Sequence, residues 1–199
     1  MKSGSRDGTM NNAFMEKLVA FITETTYEHL SHDMVTLSKQ AMIDTMGVSL
    51  AGWHEPAVQK VKNVYVSSGT RQSGGSSLWG DALQVACEKA ALINGTASHV
   101  LDYDDASPGV VIHPSAPILA AITPLAEQLQ RSGKEVITAY AIGTEVMVRV
   151  GQVMGIQHYH LGWHATDTLG TIGATAACAY LHRLDAEQSK HAIAIAASM

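Results

Sequence analysis

Glu135-Val-Ile-Thr-Ala-Tyr-Ala-Ile-Gly-Thr-Glu-Val-Met-Val-Arg-Val-Gly-Gln-Val-Met154 decides the fold class. It contains no proline. Val136, Tyr140, Gly143, Met147 and Val150 recur at alternating four- and three-residue steps, the period of one helix face. The stretch therefore reads as one long helix with an apolar stripe.

The same period returns on both sides. Phe14, Leu18, Phe21 and Ile22 mark a helix over 13–25. Val35, Met42, Met46 and Leu50 mark a second, which Ser31 or Asp33 caps and Gly52 ends. Residues 57–67 suit a third helix, although Val61, Val64, Tyr65 and Val66 also suit a strand. Leu83 to about Val100 reads as helix, with Ala90, Ala91, Gly95 and Ala97 small enough for close helix approach. Ser115, with Pro117 in the first turn, opens another that runs to about Arg131. Pro124 inside it predicts a kink or a split, and Ser132-Gly133 closes it. Residues 155–163 read as a loop. Asp167 or Thr168 begins a helix of small residues through Leu181, and Asp185 with Gln188 has the form of a capping box for the last. Ser68–Asp81, rich in Gly and Ser, breaks the pattern, and Ser77-Leu-Trp-Gly within it is strand-like. The expectation is an all-α, multi-helix bundle of seven or eight helices with little or no strand. Residues 1–12 read as a flexible leader and 13–199 as the helical domain. The apolar ending Ala192-Ile-Ala-Ile-Ala-Ala-Ser-Met199 predicts that this domain is incomplete.

Composition narrows the function. At 46% hydrophobic and 16% charged residues, the chain is a folded domain rather than a disordered one. A net charge of −5 and the lack of a Lys/Arg run argue against nucleic acid or an acidic membrane as partner. No apolar run reaches the about 20 residues of a membrane span. Cys87 and Cys178 lie far apart in alanine-rich surroundings, which predicts free buried thiols in a reducing cytoplasm and no CxxC-type metal site.

Two spots concentrate chemistry. Leu101-Asp-Tyr-Asp-Asp-Ala-Ser-Pro-Gly-Val-Val-Ile-His-Pro-Ser115 packs Asp102, Asp104 and Asp105 into four positions, with His113 just before a helix start. Like charges this close require a cationic partner, a shifted titration or full solvation. In an extended stretch Asp102 and Asp104 face away from Tyr103, placed to bind a cation or to act as a base. The second spot, His158-Tyr-His-Leu-Gly-Trp-His164, has the spacing H-x-H-x3-H, which can ligate zinc. His164 also precedes a Gly/Thr-rich helix start whose N–H groups can hold a carboxylate, with an ordinary cap from Thr166 or Asp167 as the plainer reading. There is no GxSxG, no GxGxxG after a strand and no Walker sequence, so serine-hydrolase and nucleotide chemistry are set aside.

Ala41-Met-Ile-Asp-Thr-Met-Gly-Val-Ser-Leu-Ala-Gly52, Asn94-Gly-Thr-Ala-Ser-His-Val-Leu-Asp-Tyr-Asp-Asp105, His113-Pro-Ser, and Gly162-Trp-His-Ala-Thr with Gly170-Thr-Ile-Gly-Ala174 occur in this order. Together they resemble the MmgE/PrpD family, whose members include 2-methylcitrate dehydratase, cis-aconitate decarboxylase and iminodisuccinate epimerase. The resemblance runs from about Phe14 to the end and implies the first part of a large helical domain. The family's smaller lid domain and its substrate-binding lysines belong to sequence beyond Met199. It also implies a homodimer, no cofactor and no metal, with small di- or tricarboxylates as substrates. Position by position, it gives catalytic roles to Asp102, His113 and His164. Ala106 stands where the decarboxylase branch has threonine, with Ser107 beside it, and one extra residue separates Asp102 from His113. Ala106, Ser107 and Thr166 are the candidate substrate contacts.

The expected chemistry is proton removal or delivery next to a carboxylate. That step needs a base active near neutral pH and stabilisation of an enediolate. Lys89 and Arg149 are the basic residues near the relevant helices, few for clamping a polycarboxylate. Two rivals stand beside this reading. One is a metal-dependent hydrolytic domain using the Asp cluster with His158, His160 and His164. The other is an inert helical interaction module.

Overall fold

The computed structural model describes residues 7–66, 74–107 and 109–199, with side chains from 13 onward. Among the described residues nine α-helices follow one another: α1 (Asp7–Glu24), α2 (His32–Gly52), α3 (Pro56–Tyr65), α4 (Cys87–His99), α5 (Ser115–Leu129), α6 (Gly133–Met154), α7 (Gln157–His160), α8 (Ala165–His182) and α9 (Ala186–Ala196). The strands among the described residues are β1 (Ser76–Ser77) and β2 (Gln84–Val85), an antiparallel pair with Ser76 opposite Val85. The all-α expectation holds.

The stripe on α6 is the centre of the molecule. Tyr140 and Met147 pack with Ile118, Leu119 and Ile122 of α5 and with Leu169, Ala177 and Leu181 of α8. Ile118, Ile122, Ile142 and Met147 are fully shielded from solvent. Each contributes about 1.5–3 kcal/mol through burial. Helices α6 and α8 cross at Gly143 and Gly173. A Cβ on Gly143 would lie 2.9 Å from the Gly173 carbonyl oxygen, and one on Gly173 would lie 2.8 Å from that of Gly143. Only glycine at both positions allows this backbone contact. Helices α2 and α4 cover α5 on one side, and α1 and α9 cover α8 on the other. A smaller cluster, including Trp53, Val58, Leu78 and Ile93, joins α3 and the hairpin to α4.

Several boundaries differ from the sequence expectation. Helix α1 begins at Asp7 and so takes in the second half of the expected leader, while residues 1–6 lie outside the described ones. The predicted ending of α3 at Ser67 and the start of the Gly/Ser-rich stretch also fall outside them. Helix α4 starts at Cys87 rather than Leu83, because Gln84 and Val85 pair with the hairpin. The fully buried Asn94 fixes this hairpin on α4. Its Oδ1 accepts from the Trp79 N–H at 3.0 Å, and its Nδ2 donates to the Ser77 carbonyl at 3.0 Å. Helix α5 passes through Pro124 as one element. Ser132 opens α6 instead of closing α5: its hydroxyl accepts from the Glu135 N–H, and Glu135 reaches back to the Ser132 N–H, forming a capping box. The predicted loop at 155–163 contains the single turn of α7, and α8 starts at Ala165, with His164 as its N-cap residue. Of the two expected caps for α2, Ser31 is the N-cap, and the capping box expected at Asp185 with Gln188 is present. Cys87 and Cys178 are free thiols. Burial raises both, Cys178 to about 12, so that it stays protonated in the fold. No helix of the described residues is long and apolar enough to cross a membrane.

Candidate active site

The loop from α4 to α5 sends its three carboxylates to three different places. Asp105 serves the helix. Its Oδ1 accepts from the Ser115 N–H at 3.1 Å and its Oδ2 from the Ser115 hydroxyl at 2.5 Å, which satisfies the first turn of α5. The Ser115 hydroxyl proton is thereby committed, so the Tyr140 hydroxyl, 2.6 Å away, donates to Ser115 Oγ. Burial and the Asp105 charge push the Tyr140 phenol up, and it remains the proton donor of this chain.

Asp104 is the buried acid, its side chain 0% exposed. Both its oxygens lie 2.9 Å from His99 Nδ1, and Oδ1 lies 3.5 Å from His113 Nδ1. His113 Nδ1 is also 3.3 Å from the Asp104 carbonyl oxygen. Both neighbours of that nitrogen are acceptors, so the neutral His113 ring carries its proton on Nδ1. The lone pair is then on Nε2, which faces Asp102 Oδ1 at 3.6 Å. Asp102 is 79% exposed at the side chain and has φ of 54°, a left-handed conformation that asparagine and aspartate tolerate better than most residues. The extended stretch behind the alternation expected here is not formed: Asp102 has positive φ and is as exposed as Tyr103, while Asp104 is buried, although both acids reach His113.

His113 and His164 each lie near a third imidazole. The His99 ring lies 5.1 Å from that of His113 and 5.8 Å from that of His164, between centroids. His164 is half exposed, with Nδ1 3.2 Å from Asp167 Oδ2. Thr166, buried in the first turn of α8, accepts the His113 backbone N–H on its hydroxyl at 3.0 Å. This bond ties α8 to the Asp-rich loop. Its O–H remains able to donate. A groove of about 460 Å³ opens beside these groups, lined by His99, Thr166 and Asp167 at one end and by Leu92, Gly95 and Pro117 along its apolar wall. Ala106 is exposed, and Ser107 is paired through its backbone with Ile112; neither is among the residues lining the groove.

His99 escaped the sequence reading as a site residue. Among the described residues, the side chains whose ligand atoms converge as a metal site would require are His99, Asp102, Asp104 and His113, all within 4.8 Å of one another. The His113 ring nevertheless presents opposite edges to Asp104 and Asp102, an arrangement suited to passing a proton across a ring. Of the second spot, His158 is engaged elsewhere: its Nε2 bonds to Thr168 Oγ1 at 2.7 Å, and its ring stacks on Trp163 at a 3° interplanar angle. Lys89 and Arg149 do not line the groove, and Arg149 pairs with Glu145 at 2.6 Å.

Known proteins give this geometry a setting. Over 198 residues the chain is 27% identical to the cis-aconitate decarboxylase of Mus musculus, covering 95% of this chain and 39% of that protein. Over 179 residues it is 28% identical to the cis-aconitate decarboxylase of Homo sapiens, covering 85% and 36%. A cis-aconitate decarboxylase-like protein of Aspergillus oryzae is 24% identical, covering 96% and 41%. The chain thus spans about two fifths of the length of the curated relatives it matches. Residues 16–199 match the description MmgE/PrpD N-terminal domain, and the chain belongs to that family.

Proposed function

We propose that this chain carries the proton-transferring part of a cofactor-independent lyase acting on small di- or tricarboxylates, with decarboxylation of a cis-aconitate-like acid as its reaction. The observation that carries the reading is the orientation of His113. Buried oxygens hold its Nδ1–H, which turns Nε2 toward Asp102.

In a decarboxylation the C–C bond to CO2 breaks and its electron pair stays on the substrate carbon. A conjugated carboxylate spreads that charge, and a proton then closes the step. Protonated His113 is the donor at Nε2, and Asp102 steadies the imidazolium before transfer. Run in the other direction, neutral His113 removes a proton next to a carboxylate, the first step of a dehydration or epimerisation. His164, half exposed at the start of α8 and near His99, meets a substrate carboxylate when protonated. Thr166 offers its O–H at the groove end. The groove lining contains no lysine or arginine among the described residues, so a full anion clamp needs cations from outside it.

Two further parts of the reading are a cytoplasmic location, supported by the free, half-buried thiols, and a homodimer. Helix α2 leaves Leu37, Ile43, Met46 and Leu50 exposed, the kind of apolar surface that a second copy covers.

The test is CO2 release from cis-aconitate, with 2-methylcitrate followed in parallel for loss of water, using the wild type and His113→Ala. Turnover abolished by the substitution supports the reading. Turnover of neither acid by the wild type overturns it.

A further inference from the structure

We propose that His99 is the positioning residue of this site: its Nδ1–H holds the Asp104 carboxylate and, through it, the His113 ring. A carboxylate removed from water needs hydrogen-bonded partners. Asp104 is removed completely, and its two imidazole contacts are unequal. His99 Nδ1 sits at 2.9 Å from both oxygens, a charge-assisted hydrogen bond, whereas His113 Nδ1 is at 3.5 Å from Oδ1. The tight contact sets the rotation of the carboxylate, and the loose one follows it.

The direction of the His99 bond is fixed by valence. An ionised carboxylate only accepts, so His99 donates from Nδ1 and the neutral ring leaves Nε2 unprotonated. His99 is the last residue of α4, and its carbonyl accepts the Asp102 N–H at 3.0 Å. The same residue therefore anchors the loop that bears both acids. Without its N–H, the buried carboxylate loses its one short side-chain partner among the described residues. Of the two acceptors that hold its proton on Nδ1, His113 then keeps only the Asp104 carbonyl oxygen at 3.3 Å.

Three variants separate this role from its competitors. His99→Asn places an N–H where Nδ1 was, His99→Gln places its amide nearer the position of Nε2, and His99→Ala removes both. Long-range 1H–15N spectra of the His113 ring nitrogens in the full chain, at mildly alkaline pH, read the tautomer without any need for turnover. Thermal melting of each variant reports the fold.

Wild type and His99→Asn should show His113 protonated on Nδ1, while His99→Gln and His99→Ala should show a mixture of tautomers. The kinetic arm rests on the lyase reading above. There kcat should fall on the order of 10- to 100-fold in the Gln and Ala variants, as for a misaligned base, with KM little changed and Asn restoring most of the loss. If His99→Ala fails to fold, the Asn and Gln pair decides. An unchanged His113 tautomer in His99→Gln overturns the proposal, as does rescue of turnover by Gln but not by Asn, which would assign the role to Nε2. If the tautomers respond as expected while the wild type turns over no acid, the positioning role stands and the lyase reading falls.

Discussion

The two histidine-bearing connections that adjoin His99 are built differently. Between α4 and α5, His113 leans on a carboxylate that is 0% exposed and on a backbone carbonyl. Between α7 and α8, His164 leans on Asp167, whose side chain is 80% exposed, within the same helical turn. The geometry of the first contact depends on the packing of three helices. The second is a local surface pair that solvent can replace. A proton-transfer site gains from this asymmetry, because one imidazole keeps a fixed tautomer and direction while the other can follow a substrate that arrives in more than one pose.

The largest expected effect tests whether the asymmetry is functional. His113→Ala should lower kcat for the decarboxylated acid on the order of 10²–10⁴-fold, with the melting temperature nearly unchanged, and His164→Ala should cost less. Equal losses in a steady-state assay would erase the distinction. Next is the buried acid. Asp104→Asn should lower stability by about 1.5–3 kcal/mol in urea unfolding, since it weakens the charge-assisted contact to His99 in a site closed to water. A loss below 0.5 kcal/mol, taken roughly as the limit for an ordinary surface substitution, would show that Asp104 is no more critical than Asp167. Third, Asp102→Gly should raise stability by up to about 1 kcal/mol, because glycine accepts the left-handed backbone without strain. Turnover should fall in the same variant, as the His113 Nε2 partner is gone. A protein that loses both stability and turnover would place Asp102 among the structural acids. The smallest change is Asp167→Ala, which should shift stability by less than about 1 kcal/mol and should matter less as salt is added.

The helices were legible because α5, α6 and α8 carry apolar stripes long enough to outweigh any local preference, and because Ser31 and Asp185 are strong caps. The hairpin boundary was not, since two-residue strands have no period to detect. It is tertiary bonding from Asn94 that holds Ser77 and Trp79 in place. Ser132 carried a readable signal in its spacing from Glu135, but the Gly after it suggested an ending instead of a start. In the site, Asp102 lies beside His113, and His164 lies near His99, whose ring also adjoins His113. What the sequence left open was the division of labour. Asp102, Asp104 and Asp105 are equivalent on paper, and only burial distinguishes the orienting acid, the helix-capping acid and the exposed one. His99 had one usable signal, a helix-terminal imidazole five residues before an acid, and that pattern becomes meaningful only when the chain between them turns back at Asp102 with positive φ.

The bond from the His113 amide to the Thr166 hydroxyl joins points 53 positions apart along the chain. Its donor belongs to the main chain, so a Thr166→Ser replacement retains the knot while valine unties it. Widening the cleft by drawing α8 away therefore pulls directly on the peptide bearing the reactive imidazole, which makes that amide a natural strain gauge: its exchange with deuterated solvent should report how often the two walls part.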